Sequence, residues 1–343
     1  MKVSDIYVAG IGTAKLKSFD TTEAVAQGWY DREEWERGGQ QSITVAGSTP
    51  APDLAIEAAG YAIEHSGHLP EEISALFHIS VHPQGPHGWS APHYISRHTL
   101  NTDVTCVEIN NGCAGFFSSL NLAACYLNAT PDRVAALLTF ADNFGTPLVD
   151  RWRVCPPVYV VADGGSAIVL SKRRGFARVL AVDSTSNTDM EIHHRGAEPL
   201  FPPGLTVGRP FNFADRREYA RQRALEGAVA PIEDFGPTLI NAVKKTLDAA
   251  DTSMDQIVRV IHDGFTRDAL SVIYFDRLGV EAERGIWEFT RRVGHSGPVD
   301  HVRGLEYVWR NRHVDVGDRV LLITSTPGME AACAVAEICQ RPS

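Results

Sequence analysis

A chain of 343 residues with 44% hydrophobic and 22% charged side chains has the make-up of a globular protein with one large or two ordinary domains and ample core. Its net charge of −10 opposes non-specific nucleic-acid binding, no basic-aromatic stripe appears, and no apolar run approaches the ~20 residues that cross a bilayer. The six cysteines form no CxxC pair and no metal-like spacing, and Met1-Lys2-Val3-Ser4-Asp5-Ile6 lacks a long apolar region, so the expected setting is a reducing cytoplasm.

Strand-like runs alternate with amphipathic helices from end to end, which predicts an α/β architecture. Ile6-Tyr7-Val8-Ala9 starts a strand that reaches Gly10 and Gly12. Residues 53–66 read as a helix with Leu54, Ala55, Ala58, Ala59 and Ala62 on one face. A buried strand is expected over 75–81, and another over 105–109 that stops just before Cys113. Phe116, Phe117, Leu120, Ala124 and Leu127 then recur at helical spacing. Cys113 is therefore expected at a core-facing helix start, where unpaired N–H groups favour an anion.

Residues 134–140 predict a central strand, and Asp163-Gly164-Gly165 a turn ahead of a strand over 166–170. Lys172-Arg173-Arg174-Gly175 marks the expected seam between two halves, 1–173 and 174–343. The stretch 187–210, rich in Pro, Gly and His, reads as a long loop of the functional kind. Its His193 and His194 are either incidental surface residues or groups reaching the acceptor side of a site. Arg209, Arg216, Arg217, Arg221 and Arg223 cluster nearby. They read as a solvated face, with a docking surface for an acidic or phosphate-bearing partner as the alternative. A helix over about 233–250 is apolar at Phe235, Leu239, Val243 and Leu247; a strand over 258–262 ends in His262; a last central strand over 319–325 precedes Pro327-Gly328.

Two stretches echo each other. Asn111-Gly112-Cys113-Ala114-Gly115 is matched by Val293-Gly294-His295-Ser296-Gly297, and Asp132-Arg133-Val134 by Asp318-Arg319-Val320, at offsets of 182 and 186 residues. Agreement this close argues for a duplication. Two equivalent helix starts then meet near a pseudo-twofold axis, placing a thiol beside an imidazole, a nucleophile with its base. Asp300, five residues beyond His295, is placed to accept from the other ring nitrogen and fix the tautomer. The plainer reading of His295 is a core histidine holding a helix start.

Glu108-Ile109-Asn110-Asn111-Gly112-Cys113-Ala114-Gly115-Phe116 resembles the active-site segment of the ketoacyl-ACP synthase III enzymes of the thiolase superfamily. The likeness extends to Ala62-Ile63-Glu64-His65-Ser66-Gly67 with Pro70-Glu71-Glu72-Ile73, to Ala162-Asp163-Gly164-Gly165-Ser166-Ala167, and to Gly317-Asp318 leading into Pro327-Gly328. It implies a thiolase-like five-layer α/β/α/β/α fold from two duplicated halves, a homodimer, a coenzyme A or phosphopantetheine thioester as acyl donor, no permanently bound cofactor and no metal. The family's histidine falls on His262, here followed by Asp263-Gly264-Phe265, and its asparagine is replaced by His295.

That replacement has a chemical consequence. Decarboxylating a malonyl group makes an enolate that needs two positioned donors. A neutral imidazole offers one donor and one acceptor, and suits proton removal better. The pattern resembles the subgroup that acts as acyltransferases in polyketide and sugar-tailoring pathways. This implies transfer of an acyl group, malonyl or similar or aromatic, from acyl-CoA or acyl carrier protein through Cys113 to a hydroxyl of a glycoside or aglycone. The resemblance further implies that His262 polarises the acyl carbonyl, unless it is a satisfied strand-end residue. It gives Gly328 to an oxyanion hole with the Cys113 amide, Trp35 to the adenine of coenzyme A, and Arg151 or Arg153 to its phosphates. The competing readings are a decarboxylative ketoacyl synthase and a non-catalytic starter-unit factor that docks a carrier protein.

Overall fold

The computed structural model describes residues 1–232, 235–326 and 330–342. Its first half runs β1 (Tyr7–Thr13), β2 (Lys17–Asp20), α1 (Thr21–Ala26), α2 (Arg32–Gly38), β3 (Ser42–Val45), α3 (Ala51–Ser66), β4 (Ile73–Ile79), α4 (Ala91–Thr99), β5 (Thr105–Ile109), α5 (Gly115–Asn128), β6 (Ala135–Asp142) and β7 (Gly164–Ser171). The second runs β8 (Ala177–Ser186), α6 (Ile192–Arg195), α7 (Phe213–Leu225), α8 (Phe235–Ala249), β9 (Ile257–Ile261), α9 (Arg267–Leu270), α10 (Asp276–Leu278), α11 (Trp287–Val293), α12 (Val299–Arg310), β10 (Arg319–Thr326) and β11 (Glu330–Ile338).

Nine strands are hydrogen-bonded in the order β5-β4-β6-β7-β1-β8-β11-β10-β9. Read outward from the centre, β1-β7-β6-β4 is matched by β8-β11-β10-β9. Both series run antiparallel, antiparallel, then parallel. β5 extends the first series, parallel to β4. The two half-sheets join where Tyr7 pairs with Arg178 and Val8 with Ala177.

Burial follows the same symmetry. Phe116, Phe117 and Leu120 of α5 and Val302, Leu305 and Val308 of α12 share one core with strand faces from both half-sheets. Leu54, Ala58 and Ala62 of α3 cover the outer face of the first half-sheet, and Leu239 and Val243 of α8 that of the second. Two strand faces clasping two helices, with a helix outside each, make the expected five layers. Strands buried on both faces lose the alternating pattern, as the unbroken burial of β6 and β7 shows.

The structure departs from the predicted elements in places. Gly164 and Gly165 are not a turn: they pair with Asp142 and Ala141 inside β7. Helix α3 starts at Ala51, with Pro52 in its first turn, where a missing N–H costs nothing. The expected helix over 233–250 is α8, its first two residues lying outside the described ones. The long segment 187–210 holds the short α6. Among the described residues no helix is long and apolar enough to cross a membrane.

Candidate active site

Strand β5 delivers the chain to Asn111, and Gly112 turns it with a φ of +53°, a region glycine enters at least cost. Cys113 follows in the 3₁₀ turn Gly112–Ala114 that runs into α5. In the second half α11 stops at Gly294, whose φ is +74°. A Cβ there would also meet Ala162 Cβ and Ile43 Cγ2 at 2.8 Å. The His295 amide donates to the Val160 carbonyl (3.0 Å), and its own carbonyl accepts from Ala162 (2.8 Å). Asp300 sits in the first turn of α12.

These three side chains meet. Cys113 Sγ lies 3.2 Å from His295 Nε2, and His295 Nδ1 lies 2.6 Å from Asp300 Oδ2. Asp300 also accepts from the amides of Gly264 (2.7 Å) and Ser296 (2.9 Å), with the Arg303 guanidinium 3.9 Å away. A carboxylate with these partners stays ionised and accepts only, so Nδ1 carries the proton and Nε2 presents its lone pair to sulfur. Burial works against the Asp300 charge, but His295, Arg303 and the Ser296 amide outweigh it and hold the group below the ordinary carboxylate range.

Burial also disfavours a charged His295 ring, yet Cys113 and Asp300 override it and raise its proton affinity well above that of a free imidazole. Burial pushes the Cys113 thiol up, with the His295 ring pulling the other way. The rings of Tyr159 and Phe265 stand 4.6 and 5.2 Å from the imidazole, centroid to centroid, and fix its plane. Asp263 lies close by, its carboxylate accepting from Tyr274, from Thr324 Oγ1 at 2.9 Å and from the Ser325 amide at 3.2 Å. Asp263, His295 and Asp300 bring ligand-type atoms within 4.8 Å of one another, but those atoms are taken up by these hydrogen bonds.

Cys113 and His295 open into a cavity of about 470 Å³. Its wall is largely apolar, with Val81, Phe144, Val154, Phe211, Phe213 and Leu239 among the lining residues. His193 and His194 line it as well. His193 is buried, with Nε2 3.2 Å from the Ala230 carbonyl, and the His194 ring packs 4.8 Å from Phe213. Neither is an incidental surface residue.

Other expectations fare differently. His262 is fully buried and is not among the residues lining the cavity: Nδ1 donates to the Asp263 carbonyl (2.8 Å), and Nε2 accepts from the Ile286 amide (3.1 Å). With both nitrogens occupied it cannot polarise an acyl carbonyl. Burial, opposed by the Asp263 carbonyl, depresses its proton affinity to a pKa of about 4. Gly328 lies outside the described residues.

The Trp35 indole N–H is spent on Thr21 Oγ1 and the Gln40 carbonyl, each at 3.0 Å, and its ring packs against a satellite core. A second cavity of about 390 Å³ is lined instead by Trp29, Phe19, Arg151 and Arg153. Arg151 is held there by the buried Asp163 at 3.3 Å, whereas Arg153 has one bond to the Gly28 carbonyl, at 3.2 Å. No motif or spacing pointed to Tyr159. Phe265, next to the His262 segment, carried the one signal available for the aromatic cage.

No protein-family model matches the chain, and no curated protein matches it in sequence. Among solved structures, one described as the acyltransferase ChlB3 is 38% identical, with a TM-score of 0.93 over 98% of both chains. The 3-oxoacyl-[acyl-carrier-protein] synthase III from Aquifex aeolicus is 16% identical, with a TM-score of 0.78 over 97% of this chain and 99% of its own. OleA from Xanthomonas campestris, solved with bound lauric acid and lauroyl-CoA, is 16% identical, with a TM-score of 0.75 over 98% of this chain and 99% of its own. The last two share the fold, and the first is close in sequence over its whole length. The chain belongs to one family with the acyltransferase ChlB3, has the fold of the 3-oxoacyl-[acyl-carrier-protein] synthase III enzymes, and is an enzyme of acyl transfer.

Proposed function

We propose that Cys113, His295 and Asp300 move an acyl group, malonyl or similar or aromatic, from coenzyme A or an acyl carrier protein to a hydroxyl of a secondary metabolite, a sugar or an aglycone. The observation that carries this reading is His295 itself, 3.2 Å from the thiol on one side and 2.6 Å from a carboxylate on the other. In the first step the thiol proton passes to Nε2 and sulfur attacks the thioester carbonyl. The donor's sulfur leaves and takes the proton from the ring, so the imidazole ends neutral. In the second step Nε2 removes the acceptor's hydroxyl proton, oxygen attacks the acyl-cysteine, and the departing Cys113 sulfur is reprotonated. Asp300 holds the ring in one tautomer and stabilises its charged form throughout.

Transfer is favoured over condensation because His262, on which the family's donor histidine falls, has both ring nitrogens occupied. Arg153 and Trp29, on the second cavity, replace Trp35 as the candidate contacts of a donor nucleotide in this reading. A homodimer belongs to the same reading, supported by the partly exposed edge strand β5.

Intact-protein mass spectrometry after exposure to malonyl-CoA tests it. The expected product is an intact malonyl adduct on Cys113, absent in Cys113→Ala, with no carbon dioxide released. An acetyl adduct with carbon dioxide would favour the decarboxylating, condensing reading instead, and inertness towards every thioester would favour the non-catalytic factor.

A further inference from the structure

The arginine cluster of the sequence is not one surface. Arg221 pairs with Glu218 at 2.7 Å, Arg223 with Glu226 at 2.5 Å and Arg209 with Glu198 at 3.4 Å. Arg216 donates to the His194 carbonyl at 2.8 Å. Arg217, on α7, turns the other way and lines the cavity that holds Cys113 and His295. Its Nη2 donates to the Pro156 carbonyl at 2.6 Å, while its Nε–H is sealed from solvent without a hydrogen-bond partner.

Three other described arginines also leave a buried Nε unbonded, namely Arg178, Arg291 and Arg303. None of them lines the cavity, and Arg291 and Arg303 have Glu288 and Asp300 nearby. Among the described residues no carboxylate lies within ion-pair distance of Arg217. A cation lining a largely apolar cavity with no carboxylate beside it is costly unless a ligand supplies the missing charge. The hydroxyls of Ser325 and Thr326 are likewise buried and unbonded where β10 reaches the cavity, and Thr326 packs against Gly112, beside the thiol. The cavity therefore holds the nucleophile together with a guanidinium on α7 that has no carboxylate partner among the described residues.

We infer that Arg217 is a specificity residue that receives a carboxylate on the far end of the donor's acyl group, so that the enzyme loads half-thioesters of dicarboxylic acids in preference to neutral or aromatic acyl groups. The inference rests on the acyl-cysteine reading above and narrows its donor. A guanidinium keeps its charge at any working pH and carries paired N–H donors that match the two oxygens of a carboxylate. Low polarity around it strengthens the pair and penalises a neutral group that leaves those donors unfilled.

The test is competition for Cys113, read by intact mass, among malonyl-, succinyl- and glutaryl-CoA against propionyl-, butyryl- and benzoyl-CoA, with no acceptor present. At least one acid-terminated donor is expected to outcompete the neutral ones by about ten- to a hundredfold. Arg217→Gln is expected to collapse that ratio and Arg217→Lys to keep part of it. Arg221→Gln, a surface control, should leave the ratio unchanged.

Adducts of all donors in equal yield, or a ratio that survives Arg217→Gln, would overturn the inference alone. A preference that emerges only when acceptor is added would assign Arg217 to the acceptor and overturn it too. No adduct from any thioester would instead bring down the acyl-cysteine reading beneath it. If the glutamine variant fails to fold, Arg217→Lys carries the test: a ratio left wholly intact in it would overturn the inference, and a ratio partly lost would support it.

Discussion

In the proposed transfer, Asp300 is the side chain on which both chemistry and local packing turn. Replacing it by Asn keeps the shape but presents an amide that can no longer hold the Nδ1–H tautomer, so acyl transfer should fall roughly 10³- to 10⁴-fold in single-turnover assays. Because Asp300 and Cys113 together raise the proton affinity of His295, loading by the unmodified enzyme should rise with pH through an inflection above the ordinary imidazole value of about 6.5. Asp300→Asn removes one of those two influences, and its inflection should lie at lower pH. Asp300→Ala also strands Arg303 and two backbone amides, with an expected loss of about 3–5 kcal/mol in denaturant unfolding.

His262 makes the opposite prediction. His262→Gln should lower thermal stability while leaving the loading rate within a few-fold. Its buried, neutral ring takes up a proton near pH 4, whereas an unfolded histidine does so near 6.5. Between those values the unfolded chain binds more protons, so this ring's contribution drains away on acidification, by on the order of 3 kcal/mol. The stability gap between parent and variant should therefore narrow as pH falls from about 6.5 to about 4, as paired unfolding curves would reveal.

At the scale of elements, α5 and α12 form the middle layer, and the proposed catalytic groups lie at or just before their first turns. Phe117 is 2% exposed and packs edge-on against His301 of α12 at 4.8 Å, tying the two helices together. Phe117→Ala should cost about 3–5 kcal/mol and slow loading through displacement of the turn that carries Cys113. Circular dichroism melts alongside the mass assay would check both effects.

The periodicity of α5 made that helix legible, and its echo around residue 295 pointed to the imidazole. Helix α12 was not read as a core element because Asp300, His301 and Arg303 interrupt its apolar pattern, and all three are buried. Their charges are spent inside the site, which no spacing rule conveys. The Ala-rich β11 and the weakly alternating β8 escaped for a related reason, since strands covered on both faces need not alternate. Trp35 and Arg217 show two limits of reading residues from pattern alone. A motif matched Trp35 to a ligand although its indole is bonded internally, and a charge cluster hid Arg217 although it faces the cavity.

Across the whole molecule, the reading that 1–173 and 174–343 descend from one duplicated unit is supported by the matched strand series and by helices α5 and α12 in equivalent places. The central core draws on both, so we expect either half expressed alone to expose that core and to be recovered insoluble. Co-expression of the two segments should restore soluble protein and loading together.

Sulfur and imidazole stand 182 positions apart along the chain. During synthesis the thiol leaves the ribosome long before the ring that arms it. A half-made polypeptide, surrounded by cellular thioesters, carries an ordinary cysteine that stays dormant until the last third of the chain has emerged and settled over it. Dividing the nucleophile from its activator in this way makes completion of the fold the switch that turns the chemistry on.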